Sequence, residues 1–194
     1  MVKQKINIVW LKRDLRTQDH LPLSCAEKHE LEYICIYIFD PKKISHSDTS
    51  LRHQQFIYHS IKEINNKLKT YNRMVHIMNA PTLTVFNYLS KIYEIKNIFS
   101  YQETGIRLSW EIDKSVTEHC NKNKIKWKQY QRDGIIRGLK NRAKWDRSWY
   151  QQVTKPVLRN TYSLFKSKLL VNPFTFTNKY IQMLENYPES YQKA

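Results

Sequence analysis

Two short apolar runs, residues 6–11 (INIVWL) and 33–39 (YICIYIF), limit what this chain can fold into more than any other feature. Both are rich in β-branched and large residues, the pattern of strands buried on both faces. Strands of that kind belong to parallel sheets, and a parallel pair needs a crossover, usually a helix. The chain supplies the crossovers. Residues 21–30 form a helical pattern with Leu21, Leu23, Cys25 and Ala26 available for its buried side. Residues 50–71 carry Phe56, Ile57, Ile61, Ile64 and Leu68 near a period of 3.6. A third strand is expected at 74–78. A helix follows at 82–93, with Thr82 as N-cap and Leu83, Phe86, Leu89 and Ile92 on one face. The alternation continues with a strand at 97–101, a helix at 107–123 and a more polar, edge-type strand at 125–130. Residues 42–50 read as a polar loop. The expected fold is α/β: a doubly wound, five-stranded parallel sheet, Rossmann-like and three-layered α/β/α, with a C-terminal arm.

Beyond Gln131 the alternation stops. The expected organisation is an α/β domain over residues 1–131 and a basic, aromatic-rich arm or interdomain linker over 132–194. The net charge of +16 is uneven: residues 122–168 hold fourteen Lys and Arg against Asp133 and Asp146, so +12 lies there. A basic surface of this kind attracts polyanions, nucleic acid first. A Lys- and Asn-rich composition accounts for the lysines equally well, so only their clustering favours a partner. Cys25, Cys35 and Cys120 show no paired or metal-ligand spacing and read as reduced thiols in a cytoplasmic protein. No apolar run reaches the ~18 residues of a membrane span.

The absences narrow the chemistry. With only Gly105, Gly134 and Gly138, neither a dinucleotide-binding glycine fingerprint nor a Walker loop can form. There is no nucleophile elbow and no zinc-protease motif. His53, His59 and His76 sit in helix or strand patterns and read as structural. The sheet is left as a binding platform, and in open parallel sheets ligands gather at the carboxyl ends of the strands.

Those ends are distinctive. The first strand delivers Lys12, Arg13, Asp14 and Arg16; the second delivers Phe39 and Asp40, followed by the loop to Arg52; the fourth delivers Tyr101, Gln102 and Glu103. Carboxylates, guanidinium groups and rings together suit a planar, polar heteroaromatic ligand. Each residue alone has a plainer reading: Arg13 with Asp14 as an internal ion pair, Tyr101 and Phe39 as core.

The stretch W-x-K-R-D-L-R-x-x-D, from Trp10 to Asp19, resembles the opening of the DNA photolyase/cryptochrome family, with Leu11, Lys12 and His20 as variants. Further matches follow in order. Phe39-Asp40-Pro41 resembles the family's end of the second strand, and Ser50-Leu51-Arg52 with Phe56 resembles the start of its long second helix. In residues 100–114, SYQETGIRLSWEIDK, Ile112 replaces the family's Arg while Asp113 remains. Residues 131–150, QRDGIIRGLKNRAKWDRSWY, are similar to a segment of a bacterial branch.

The resemblance implies an N-terminal α/β domain able to hold an antenna chromophore, a reduced folate or a deazaflavin, contacted by Arg13, Asp14, Arg16, Phe39, Asp40, Arg52, Tyr101 and Glu103. It also implies a helical domain that binds FAD and DNA, for light-driven repair of pyrimidine dimers or blue-light signalling. Nothing after Pro156 resembles that domain, so the chain is expected to be the N-terminal part alone, without photolyase activity by itself. Glu103 is expected to outrank Asp40 as a ligand contact. The arm's Trp145, Trp149, Tyr150, Tyr162, Leu164, Phe165, Phe174 and Phe176 can cover themselves by folding back on the sheet or by pairing with another copy. Residues after about 156 are expected to be loosely ordered or engaged in a homodimer. A nucleic-acid-binding module using residues 122–168, and a general nucleotide-binding α/β domain, stand as alternatives.

Overall fold

The structure is a computed structural model that describes residues 3–135, 140–143, 145–166 and 170–186. Five parallel strands form one sheet: β1 (Gln4–Leu11), β2 (Tyr33–Ile38), β3 (Val75–Met78), β4 (Tyr93–Tyr101) and β5 (Lys126–Tyr130). Their order is β3-β2-β1-β4-β5. The chain therefore winds outward from β1 in both directions, and β5 lies at an edge as its polarity requires.

The pleat sorts the core into two layers. Ile6, Ile8 and Trp10 of β1 face one cluster, closed by Val85, Phe86 and Leu89 of α4 (Thr82–Ile92) and by Val116 and Cys120 of α5 (Arg107–Lys122). Val9 and Leu11 face the other, closed by Leu23 and Ala26 of α1 (Leu21–Glu27) and by Ile61, Ile64 and Leu68 of α3 (Leu51–Leu68). Each fully buried aliphatic side chain contributes about 1.5–3 kcal/mol. The three-layer α/β/α arrangement is thus the direct consequence of strands apolar on both faces.

Several local expectations are corrected. Residues 42–50 contain a short helix, α2 (Pro41–Ile44), because Asp40 caps it and Pro41 takes its first position. The N-cap of α4 is Pro81, not Thr82. Leu83 and Ile92 are exposed, and Thr82, Val85, Phe86 and Leu89 form the buried face. β4 begins at Tyr93 because Tyr93, Glu94 and Ile95 pair with Gln4, Lys5 and Ile6. On α3, Phe56 is 61% exposed while Gln54 and Gln55 are buried.

The arm departs most from expectation. Several of its described residues from Leu158 onward are packed or hydrogen-bonded to the sheet domain, which corrects the expectation that residues after about 156 are loosely ordered. Asp19, left-handed at φ 53°, exchanges hydrogen bonds with Leu158. The Asn160 side chain accepts from the His20 N–H and donates to its carbonyl, both at 2.9 Å. Phe165 and Leu170 join the main core, and the Asn79 N–H donates to the Phe174 carbonyl. Helix α6 (Trp145–Val153) leaves Trp145, Trp149 and Tyr150 exposed. Helix α7 (Asn178–Glu185) packs along α3, with Leu184 fully buried. Arg137, Gly138, Lys144, Lys168 and Pro188 fall outside the described residues.

Candidate functional site

β1 runs straight into Lys12, Arg13 and Asp14, and successive side chains leave in different directions. Lys12 turns inward: its Nζ lies 2.7 Å from Asp113 Oδ1 and 4.2 Å from the Trp10 ring centre. Burial pulls its ammonium below the ordinary lysine range, against the attraction of Asp113. Arg13 turns to the sheet edge, where its Nε meets Glu103 Oε1 at 3.0 Å. Glu103 follows β4 and is 2% exposed; its Oε2 faces Lys43 Nζ at 3.5 Å, and Oε1 accepts the Gly105 N–H at 3.1 Å. Burial works to raise this carboxyl, but Lys43, Arg13 and Lys12 together hold it below the ordinary carboxylate range. A Cβ on Gly105 would sit 2.4 Å from Arg13 Nη2 and 2.8 Å from Glu103 Oε1, so any side chain there would push the Arg13 guanidinium off Glu103.

Arg13, Lys43 and Glu103 form one wall of a cavity of about 620 Å³ at the carboxyl edge of the sheet. Trp10, Tyr37 and Phe39 line it from the ends of β1 and β2, α2 and the first turns of α3 form a second wall, and the loop after β4 carries the lining on to Ser109 of α5. β1 and β4 diverge from this point, which makes it the topological switch point where open α/β sheets take ligands. The volume lies within the ~300–1,000 Å³ of small-molecule sites. Rings on one side and a partly solvated Arg–Glu–Lys group on the other can stack a fused-ring ligand and pair its polar edge.

Four of the eight expected contacts line this cavity: Arg13, Phe39, Asp40 and Glu103. The Asp40 carboxylate is already held, accepting from the Lys42 N–H at 3.0 Å and from the Thr82 N–H and hydroxyl at 2.7 Å, which ties α2 to α4. The other four do not line it. Asp14 accepts from His20 Nε2 at 2.5 Å and from the Lys12 N–H at 3.0 Å. Burial works to raise its carboxyl, and the His20 contact together with the backbone N–H groups of Lys12 and Asp14 holds it low. His20 in turn accepts the Leu23 N–H at Nδ1 and caps α1. Tyr101 presents its edge to the His20 ring and accepts the Leu21 N–H at its hydroxyl oxygen. Arg16 pairs with Asp19 at 3.2 Å in solvent, and Arg52 stands exposed on the first turn of α3.

Sequence reasoning missed Lys43, Gln54 and Phe56 as lining residues. The Asp-Pro start of α2 was a usable signal for Lys43, since it winds the following lysines back over the strand end. His53 is a capping residue, accepting the Ser50 N–H, and His59 contacts the Leu184 carbonyl. Burial lowers His76 to about 4 and raises the Cys35 and Cys120 thiols to about 12 and about 11. Among the described residues, no helix is long and apolar enough to cross a membrane.

The family model described as DNA photolyase matches residues 7–138. Cryptochrome-2 of Gallus gallus is 26% identical over 96 residues, which cover 49% of this chain and 16% of that protein. The Synechocystis sp. PCC6803 cryptochrome superposes with a TM-score of 0.71 at 18% identity, covering 89% of this chain and 40% of that one. An archaeal photolyase from Sulfolobus tokodaii, solved with two FAD molecules and with the implication of a novel light-harvesting cofactor, gives 0.63 at 18% identity over 94% and 42%. The chain therefore spans about two-fifths of the solved structures it matches.

Proposed function

The chain belongs to the DNA photolyase family, and on that premise we propose that it is an N-terminal antenna domain whose cavity holds a light-harvesting chromophore. The observation that carries this reading is the Arg13–Glu103–Lys43 group facing the rings of the 620 Å³ cavity at the strand ends. A reduced folate, a deazaflavin or a flavin offers the planar ring system those rings can stack and the polar edge the charged group can pair. The light-harvesting cofactor implied for the Sulfolobus tokodaii photolyase supports a flavin among the candidates.

Residues 1–131 would form this domain and 132–194 the connecting arm. Energy absorbed here would pass to FAD in a helical domain of the same protein, for light-driven repair of DNA or for blue-light signalling in the cytoplasm. Trp145, Trp149 and Tyr150, exposed on α6, suit contact with that domain or with a second copy. A nucleic-acid reading draws on Lys126, Lys128, Arg142, Lys155 and Arg159, all exposed on β5 and the arm. Titration with a reduced folate, 5-deazariboflavin and FMN, followed by absorption and fluorescence, tests the antenna reading. A bound near-UV or blue band is expected; binding of none of the three, with salt-dependent binding of DNA, would favour the nucleic-acid reading.

A further inference from the structure

The cavity is walled partly from behind, by a segment that lies outside the matched family region. Phe39, at the end of β2, lines the cavity, and Phe176 of the arm packs edge-on against it with ring centres 5.0 Å apart and planes at 82°. Phe176 in turn stacks on Tyr180 of α7 at 4.9 Å. The Tyr180 hydroxyl donates to the side-chain oxygen of Gln54, which lines the cavity from α3. The four side chains close a circuit: β2 end, arm, α7, α3 and back across the cavity. α7 is fixed to α3 independently, with Gln55 Nε2 donating to the carbonyls of Met183 and Asn186 at 2.9 and 3.1 Å.

We propose that Phe176 and Tyr180 are positioning residues for the ligand, which hold the β2 end and α3 at the spacing the cavity needs, so that arm docking and cavity occupancy reinforce each other. This rests on the reading of the cavity as a ligand site. The physical reason is that the Phe39 ring is held between two rings, Tyr37 of β2 at 5.1 Å and Phe176 of the arm at 5.0 Å, and the arm supplies the second of them. Without that ring the Phe39 side chain can swing outward, and the spacing between β2 and α3 is no longer fixed. A ligand that needs the spacing then binds more weakly, because it must first select the docked state.

The test is hydrogen exchange on the full chain, paired with titration by FMN and by 5-deazariboflavin. For Phe176→Ala, protection should fall about tenfold in three segments: 178–185, 37–44 and 51–57. Residues 93–122 should keep wild-type exchange, and affinity for the chromophore that binds should fall about tenfold. Phe176→Leu should restore most of both. Tyr180→Phe, which removes only the hydroxyl, should show the same pattern at about threefold and carries the test if Phe176→Ala does not fold. Lys62→Ala loosens the outer Lys62–Glu185 pair of α7, 3.2 Å apart, and should leave the cavity segments unchanged. Faster exchange in 178–185 with wild-type exchange in 37–44 and 51–57 would overturn the coupling, as would equal effects from Lys62→Ala. If the wild type binds neither of these nor a reduced folate the ligand reading fails, and the exchange pattern still decides whether the arm sets the cavity wall.

Discussion

Asp14 and Glu103 are both buried carboxylates just past the end of a strand, and they sit in opposite kinds of surroundings. Asp14 is enclosed by His20 and the Lys12 N–H, with His20 locked from behind by Asn160 of the arm. Every group in that corner is paired within the protein. Glu103 is as deeply buried, but its counter-charges reach out: the Arg13 side chain is 56% exposed and that of Lys43 31%. A ligand can take over partners of Glu103 and has no route to those of Asp14. A buried charge marks a binding site where its partners face a cavity, and marks a structural corner where they do not.

The largest expected effect lies in the closed corner. His20→Ala leaves the Asp14 carboxylate buried without its partner and uncaps α1, and should cost about 3–5 kcal/mol in urea unfolding. A loss below about 1 kcal/mol would mean that water reaches Asp14 and that the corner is not closed. Gly105→Ala should act the other way round. The added Cβ pushes Arg13 off Glu103, so chromophore affinity should fall about tenfold while stability drops only ~1 kcal/mol, the displaced group being the far end of a flexible side chain.

Acid titration sharpens the same comparison. Both carboxyls are held lower in the folded chain than in the unfolded one, so on acidification the unfolded chain takes up protons first. The stability they contribute is fully present above the ordinary carboxylate value and is lost as pH falls through the folded one. Glu103→Gln should flatten part of that acid limb in equilibrium unfolding, and an unchanged limb would contradict the pairing with Arg13 and Lys43. The smallest effect is expected for Arg16→Ala: its pair with Asp19 is half in solvent, so unfolding should change by no more than about 0.5 kcal/mol.

The sheet was legible because its signal is local: a strand buried on both faces is mostly apolar, as residues 33–38 are throughout, with buried exceptions such as Asn7 satisfied by a hydrogen bond from Asn97. The edge position of β5 was legible for the same reason, from Lys126 and Lys128. What could not be read depends on distant partners. Phe56 fits the period of α3 yet faces solvent beside the cavity, while Gln54 and Gln55 are buried because α7 lies over them. Asp14 and Glu103 are indistinguishable in sequence, since what separates them is His20 held by Asn160 on one side and an Arg–Lys pair on the other. The arm was misread because its aromatic residues have no periodicity; their burial is set by the domain they lie on.

The most direct test of the ligand site is a block inside the cavity. Thr49 is half-buried in its lining, and Thr49→Trp would put a bulky ring into the space the ligand needs. Wild-type protein should bind one of a reduced folate, 5-deazariboflavin or FMN with a near-UV or blue band, and Thr49→Trp should lose that band while unfolding at the wild-type urea midpoint. A chromophore that binds the blocked variant as tightly as the wild type would place the site elsewhere and contradict the account.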